Sequence, residues 1–377
     1  MNHRLGLYIH IPFCRQRCDF CAFYLEVYRE APAARFVTAL KKEIDLYAAQ
    51  AGWKTRTVQS VYFGGGTPTV LGSDRLTDVL AHVRHAFPLS QDCEITVEAH
   101  PATVSCPDLH RLAEAGVTRM SFGAESMQDD ELLLMGRPGL TSETVAAVSH
   151  AREAGFHNIN LDLMYGLPGQ SVSSWSNTIE RCLELNPAHV SCYALTVEGG
   201  TKLARDIAQG RSPVPDEERQ VTMDEAAHDL LRSNGYERYE ISNYARPGYA
   251  CRHNLLYWTG GEYLGLGPSA QSFVNGERFG NAVNLTVYHA ALDENRLPLT
   301  EQAALSHGER LRDAVVFGLR LVDGISADHL HEHAMNSGRT AAVEELEQQG
   351  LIEKGKAKVK LTAKGRRYAD LVAERLY

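Results

Sequence analysis

The sequence predicts an α/β fold, six β-α units in succession followed by a helical C-terminal region, and three observations lead there. Short β-branched runs alternate with longer amphipathic segments from Leu5 to about Leu195. Polar residues and glycines fall just after each run. Past about residue 200 the alternation breaks up around Pro213, Pro215, Pro247 and Pro268, and a tail of helical segments with one hairpin pattern follows.

The runs, in order, are Leu5-Gly-Leu-Tyr-Ile-His-Ile, Ser60-Val-Tyr-Phe, Glu94-Ile-Thr-Val-Glu, Arg119-Met-Ser-Phe, Asn158-Ile-Asn-Leu-Asp-Leu and His189-Val-Ser-Cys-Tyr-Ala-Leu. Between them, Ala34 to Ala51, Asp74 to Phe87, Pro107 to Ala115, Ser142 to Ala154 and Ser173 to Leu185 carry apolar residues at helical spacing. Such a succession implies a parallel sheet with right-handed crossovers, either doubly wound or curled towards a barrel. In both, the carboxyl ends of the strands carry the chemistry. The tail, from Gly308 to the final helix by way of Leu351-Ile-Glu-Lys-Gly-Lys-Ala-Lys-Val-Lys-Leu-Thr, reads as helices plus a β-hairpin, similar to a winged helix. Three stretches result: a core over 1–200, a linking region over 201–300 and a helical domain over 301–377.

With 377 residues, 44% apolar and 23% charged, the chain can bury a full core and carries no bias towards disorder. No apolar run reaches the roughly 20 residues of a membrane span, and the start lacks the apolar stretch of a secretory signal, so the expected compartment is the cytoplasm. A net charge of -9 argues against broad nucleic-acid binding. The basic stretch from Lys354 to Lys360, with Lys364, Arg366 and Arg367, reads as a solvated hairpin face.

Three of the eight cysteines crowd into Cys14-Arg-Gln-Arg-Cys18-Asp-Phe20-Cys21, directly after the first run. A short loop there wraps three thiolates around one point, as iron-sulfur clusters and structural zinc require. Zinc needs a fourth local ligand, and neither Cys nor His follows in Ala22-Phe-Tyr-Leu-Glu26. Three thiolates on a four-iron cluster leave one iron open. Cys93, Cys106, Cys182, Cys192 and Cys251 lie in apolar or helix-like sequence and read as buried thiols.

Tyr62-Phe-Gly64-Gly65-Gly66-Thr67-Pro68 ends the second run, where a glycine run lets backbone N-H groups approach a ligand closely. Further run ends carry Glu98, Glu125 and Asp162, and Arg137 follows the fourth. Acidic groups gathered at one end of a sheet can bind ribose hydroxyls and amines, and an arginine can clamp a carboxylate. Tyr8 and Phe20 can cover a cofactor by apolar contact. His253-Asn-Leu-Leu-Tyr257-Trp258 offers two readings: an imidazole ligand for haem iron with aromatics for the macrocycle, or a satisfied histidine at a domain seam.

On these residues the chain resembles the radical S-adenosylmethionine (SAM) superfamily, and within it the coproporphyrinogen-oxidase-like group, almost end to end. Its landmarks are Ile9-His-Ile-Pro-Phe-Cys14, the C-x3-C-x-F-C triad, Gly64-Gly-Gly-Thr-Pro68, Leu161-Asp-Leu-Met-Tyr-Gly-Leu-Pro168, Tyr239-Glu-Ile-Ser-Asn-Tyr-Ala245 and Leu264-Gly-Leu-Gly-Pro-Ser-Ala270. The anaerobic coproporphyrinogen dehydrogenases carry a further cysteine where this chain has Phe23. The H-N-x-x-Y-W sequence at His253 to Trp258 looks instead like that of the HemW-type haem chaperones.

The resemblance implies a partial (βα)6 barrel with a helical, winged-helix-like domain closing over it. It implies a 4Fe-4S cluster on Cys14, Cys18 and Cys21, with one or two SAM molecules at Tyr8, Phe20, Gly65, Gly66, Thr67, Glu98, Arg137 and Asp162. The implied chemistry is reductive SAM cleavage to a 5′-deoxyadenosyl radical, with a flavodoxin or ferredoxin as electron donor and haem as ligand at His253. Two departures keep a second reading open. Gly123-Ala-Glu125-Ser stands where the families usually read Gly-Val-Gln-Ser, and Pro138-Gly139 and Gln271 stand where HemW-type proteins usually have histidines. These positions lie where a second SAM or a small-molecule substrate would sit, and a glutamate adds a charge and a proton acceptor as a catalytic group. The class C methyltransferases and cyclopropanases, which share this scaffold and use two SAM molecules, are the alternative.

Overall fold

A computed structural model describes residues 5–137 and 139–377, so Pro138 lies outside the described residues. Six parallel strands form the centre: β1 (Leu5–Ile11), β2 (Val58–Gly65), β3 (Leu89–Ala99), β4 (Arg119–Glu125), β5 (Asn158–Tyr165) and β6 (His189–Ala194). They lie side by side in chain order, each pairing with the next. A doubly wound sheet needs a point at which the order reverses, and there is none here. Right-handed crossovers that all step the same way put the helices on one face and curl the sheet as in a barrel.

The curl stays open. The outer edge of β6 takes antiparallel β8 (Asn243–Ala245) and then β7 (Glu237–Arg238), while the edge of β1 takes parallel β9 (Glu262–Leu266). Antiparallel β10 (Gln271–Val274), β11 (Glu277–Asn281) and β12 (Leu299–Ala304) complete the 12-stranded sheet. Residues 201–300, expected as a link, therefore supply strands to both flanks. The helix Arg252–Trp258 lies in the stretch that crosses from one flank to the other.

Strand alternation sorts the side chains. Leu5, Leu7, Ile9, Val61, Phe63, Ile95, Val97, Met120, Phe122, Ile159, Leu161, Leu163 and Val190 are buried with the helical Leu40, Leu80, Leu112, Val148 and Ile179 in one core. The alternate positions are polar and bond one another across the opposite, concave face. Asn160 Nδ2 donates to Ser121 Oγ at 2.7 Å and to Asp162 at 2.9 Å, Ser121 donates to Asp162 at 2.9 Å, and Ser191 donates to Asn160 at 3.2 Å. A barrel packed for stability alone fills its interior with branched apolar residues. This one lines it with hydrogen-bonding groups, as a ligand chamber would be lined.

The C-terminal unit has its own core, including Val315, Leu330, Val343, Leu346, Val359, Leu361 and Val372. Helices His307–Gly318, Ala327–Ser337 and Thr340–Gln348 precede a hairpin of β14 (Ile352–Lys354) and β15 (Lys358–Leu361), with β13 (Ile325–Ser326) on the far side of β15. This is the helical, winged-helix-like arrangement the tail predicts. It docks beside helix Arg252–Trp258, where the Arg320 guanidinium lies 4.6 Å from the Trp258 ring and 3.7 Å from Glu240. No helix among the described residues is long and apolar enough to cross a membrane.

Candidate functional site

The cysteine loop leaves the carboxyl end of β1 and is tied down along its length. Phe13–Cys14 pairs with Glu26–Val27, and the Tyr28 N-H donates to the Cys14 carbonyl at 2.8 Å. Arg17 donates to the carbonyls of Cys21 and Phe23 at 3.2 and 3.1 Å. The Asp19 N-H reaches the Met135 carbonyl at 3.1 Å, and Lys202 pairs with the Asp19 carboxylate at 2.6 Å. Phe20 packs with Met135, Met164, Leu167, Leu195 and Leu203, so its apolar face is already part of a small cluster beside the loop.

The Cys14 thiol lies 3.4 Å from the Thr67 hydroxyl, and Arg137 Nη1 lies 3.9 Å from Cys18 Sγ. Burial pushes both thiols up, Cys18 to about 11, against the pull of the Arg137 guanidinium. A thiolate here needs a positively charged partner to form. Among the described residues no three His, Cys, Asp or Glu side chains gather closely enough to share one metal ion. Three soft sulfur donors in one short loop fit iron-sulfur ligation. Of the other cysteines, Cys93, Cys182, Cys192 and Cys251 are buried as expected; Cys106 is half-buried, 3.7 Å from Glu153 at the start of a helix.

The glycine loop lies directly on the cysteine loop. The N-H groups of Gly66 and Thr67 donate to the carbonyls of Ile11 and Phe13 at 2.8 and 2.7 Å. A Cβ at Gly66 would stand 2.6 Å from the Phe13 oxygen, and one at Gly65, whose φ is +109°, 2.6 Å from the His10 ring. The glycines are thus needed first for loop against loop. The Gly65 N-H donates to Glu98 Oε2 at 3.2 Å, and the Tyr62 hydroxyl donates to Oε1 at 2.7 Å. Glu98 thus fastens the glycine loop to β3, while the backbone of Gly66 and Thr67 fastens it to the cysteine loop.

Burial, with the nearby Asp162 adding to it, raises the Glu98 carboxyl to about 7. A carboxyl raised above its ordinary 4.5 holds its proton more tightly in the folded chain. Its contribution to stability is complete below that value and is lost as pH rises through about 7. Glu98→Gln lacks this loss. Its melting temperature relative to the native chain should therefore climb between about pH 5 and about pH 8, and a difference that stays constant would show that Glu98 is not so raised.

Glu125 ends β4 at a register shift, with φ +62°, a conformation that costs a non-glycine residue about 1–3 kcal/mol. Arg137 holds it: Nη1 lies 3.3 Å from Glu125 Oε1, and Nη2 donates to the Gly123 carbonyl. Burial raises the Glu125 carboxyl while Arg137 opposes the rise. Asp162 sits two strands from Glu98 in the polar lining. Gln271, the other departure, is exposed on β10.

His253 lies inside the fold, with both ring nitrogens engaged. It is 1% exposed, Nδ1 lies 2.9 Å from Ser60 Oγ, and Nε2 lies 2.9 Å from the Tyr257 hydroxyl. Burial lowers its pKa to about 3, so the ring is neutral, with one nitrogen donating and the other accepting. As an iron ligand it would have to give up one of these bonds, which is the physical objection to the haem-ligand expectation at this residue.

Two residues escaped the sequence reading. Tyr62 was legible, being two positions before Gly64 and hence on the same strand face. His10 is 6% exposed and 3.2 Å from the Tyr8 hydroxyl, with a pKa that burial lowers to about 4 against a bond to the Tyr24 backbone.

Residues 8–182 match the family described as the radical SAM superfamily, and residues 305–368 match the HemN C-terminal domain. The chain is 32% identical to the heme chaperone HemW of Bacillus subtilis, over 95% of each chain, and 34% identical to that of Mycobacterium tuberculosis, over 98% of this chain and 94% of the other. The structure of coproporphyrinogen III oxidase (HemN) from Escherichia coli superposes with a TM-score of 0.87 at 26% identity, covering all of this chain and 90% of the other. The chain belongs to the radical SAM superfamily, as a HemW-like member of its HemN-related group.

Proposed function

We propose that this chain holds a 4Fe-4S cluster on Cys14, Cys18 and Cys21, binds SAM beside it, and takes up haem for transfer to another protein. The observation that carries the reading is the meeting of the cysteine loop, the glycine loop and Glu98 at one end of the barrel. When bound, the cluster supplies one electron for SAM cleavage. A flavodoxin or ferredoxin would supply it in turn, in the cytoplasm.

In this reading Glu98, with Gly65, Gly66 and Thr67, receives the amino-acid end of SAM, and the neutral-to-charged transition of Glu98 suits an amine partner. Asp162 receives the ribose hydroxyls, while Tyr8 and Phe20 supply apolar contact. Arg137 receives the carboxylate and shares its guanidinium with Glu125, so Glu125→Gln frees a donor without emptying the site. The stretch 1–200 holds both cofactors, 201–300 closes the amino end of the barrel, and 301–377 buttresses that closure. The names of the relatives favour haem transfer over the two-SAM methyltransferase or cyclopropanase reading.

Reconstituted protein incubated with dithionite and SAM, then assayed for 5′-deoxyadenosine, S-adenosylhomocysteine and bound haem, separates the two. Stable haem uptake without S-adenosylhomocysteine is the expected result. S-adenosylhomocysteine formed together with deoxyadenosine on a candidate substrate, and no haem uptake, would move the assignment to the methyltransferases.

A further inference from the structure

The H-N-x-x-Y-W segment has a task inside the barrel that haem ligation does not describe. Glu94 on β3 accepts the N-H groups of Arg252 and His253 at 3.2 and 3.1 Å, fixing the start of helix Arg252–Trp258. His253 and Tyr257 stand one turn apart on one helix face, which is why the motif spaces them by four. Their ring bond and the bond to Ser60 leave the imidazole no rotational freedom.

Above that fixed ring lie two tyrosines. Tyr62 stacks on His253 with centroids 5.1 Å apart and planes at 29°, and Tyr8 stacks at 6.3 Å and 30°. The two tyrosines stack on each other at 6.1 Å. The Tyr62 hydroxyl then donates to Glu98, whose other oxygen receives the Gly65 N-H. Gly6 on β1 makes room for this arrangement, since a Cβ there would stand 2.8 Å from Leu256 and 3.2 Å from the His253 ring.

We propose that His253, braced by Ser60 and Tyr257, is a positioning residue for the SAM site: it sets Tyr62, and through Tyr62 the carboxylate of Glu98. This rests on the reading that Glu98 and the glycine loop receive SAM. The histidine acts from the amino end of the strands on a site at their carboxyl end, through a stack rather than through contact with the ligand.

The test uses the reconstituted full chain and four variants: His253→Ala, His253→Gln, Tyr257→Phe and Glu98→Gln. Calorimetry gives the SAM dissociation constant, and the change SAM makes in the electron paramagnetic resonance of the reduced cluster reports its placement. Haem titration and iron content are read in parallel. His253→Ala should weaken SAM binding by about tenfold, and Tyr257→Phe by less. His253→Gln, whose amide can donate and accept, should recover most of it. Iron content and haem uptake should hold in all of them. Should His253→Ala fail to fold, Tyr257→Phe, which removes one oxygen, carries the test. Native SAM affinity in the His253 and Tyr257 variants, with Glu98→Gln impaired, overturns the positioning role; so does a glutamine that restores folding but not SAM affinity. Native affinity in Glu98→Gln overturns the underlying SAM-site reading instead.

Discussion

Cys14→Ala, Cys18→Ala and Cys21→Ala should each abolish the brown chromophore and the formation of 5′-deoxyadenosine, the largest effect expected of any single substitution in this chain. With three thiolates, one corner of a four-iron cluster is already without a protein ligand; with two, half of it is. The loop cannot recruit a substitute. Its backbone is fixed by the Phe13–Cys14 pairing, by Arg17 and by the Asp19 bond to Met135, and the other cysteines lie elsewhere in the fold. Cys251, for one, is at the amino end of the barrel, 3.5 Å from Glu94. Alanine at Cys93, Cys106, Cys182, Cys192 or Cys251 should leave the cluster in place. Iron and sulfide content per chain decides the matter, and native iron in any of the three loop variants would refute the assignment.

The glycine loop should show a comparably large effect, divided between its two central positions. Gly65→Val imposes a β-branched side chain on a backbone at φ +109° and drives it into the His10 ring. The strain of such a conformation, about 1–3 kcal/mol, is relieved only if the loop moves off Glu98. SAM affinity should fall by tenfold or more while iron content holds, since about 1.4 kcal/mol already corresponds to a factor of ten. Gly66→Ala should differ. Its methyl meets the Phe13 carbonyl, one residue before Cys14, so both SAM binding and cluster content should suffer. Equal iron loss in both variants, or native SAM affinity in Gly65→Val, would contradict this division.

The parts of the site legible in the sequence were the local ones. Three thiols within eight residues and three consecutive glycines announce themselves because short spacing constrains geometry whatever the rest of the chain does. The polar strand ends were legible for a similar reason, as a residue's rank along a strand fixes its height in a sheet. Strand order was not. The choice between a doubly wound sheet and an open barrel depends on which edge each crossover reaches, and no local pattern encodes that. The same limit hid the flanking strands of residues 237–304, several of them too short to show an alternation. His253 shows the limit most clearly. Its spacing to Tyr257 is in the sequence, but its bond to Ser60 spans 193 positions, and without that bond the ring would have kept a free nitrogen. Glu125 could be flagged as unusual, yet its left-handed backbone and its hold on Arg137 come from a register shift between strands.

The lining of the barrel with polar groups, and the confinement of apolar packing to the opposite face of each strand, bears on how such a chain can diverge. Every second strand residue is committed to the contact with the helices, where a lost methylene leaves a void. The residues between them answer to one another and to whatever occupies the chamber. Descent can therefore rewrite Ser121, Asn160, Asp162 and Ser191 as a set, trading one guest for another, while the shell that folds the protein is inherited unaltered.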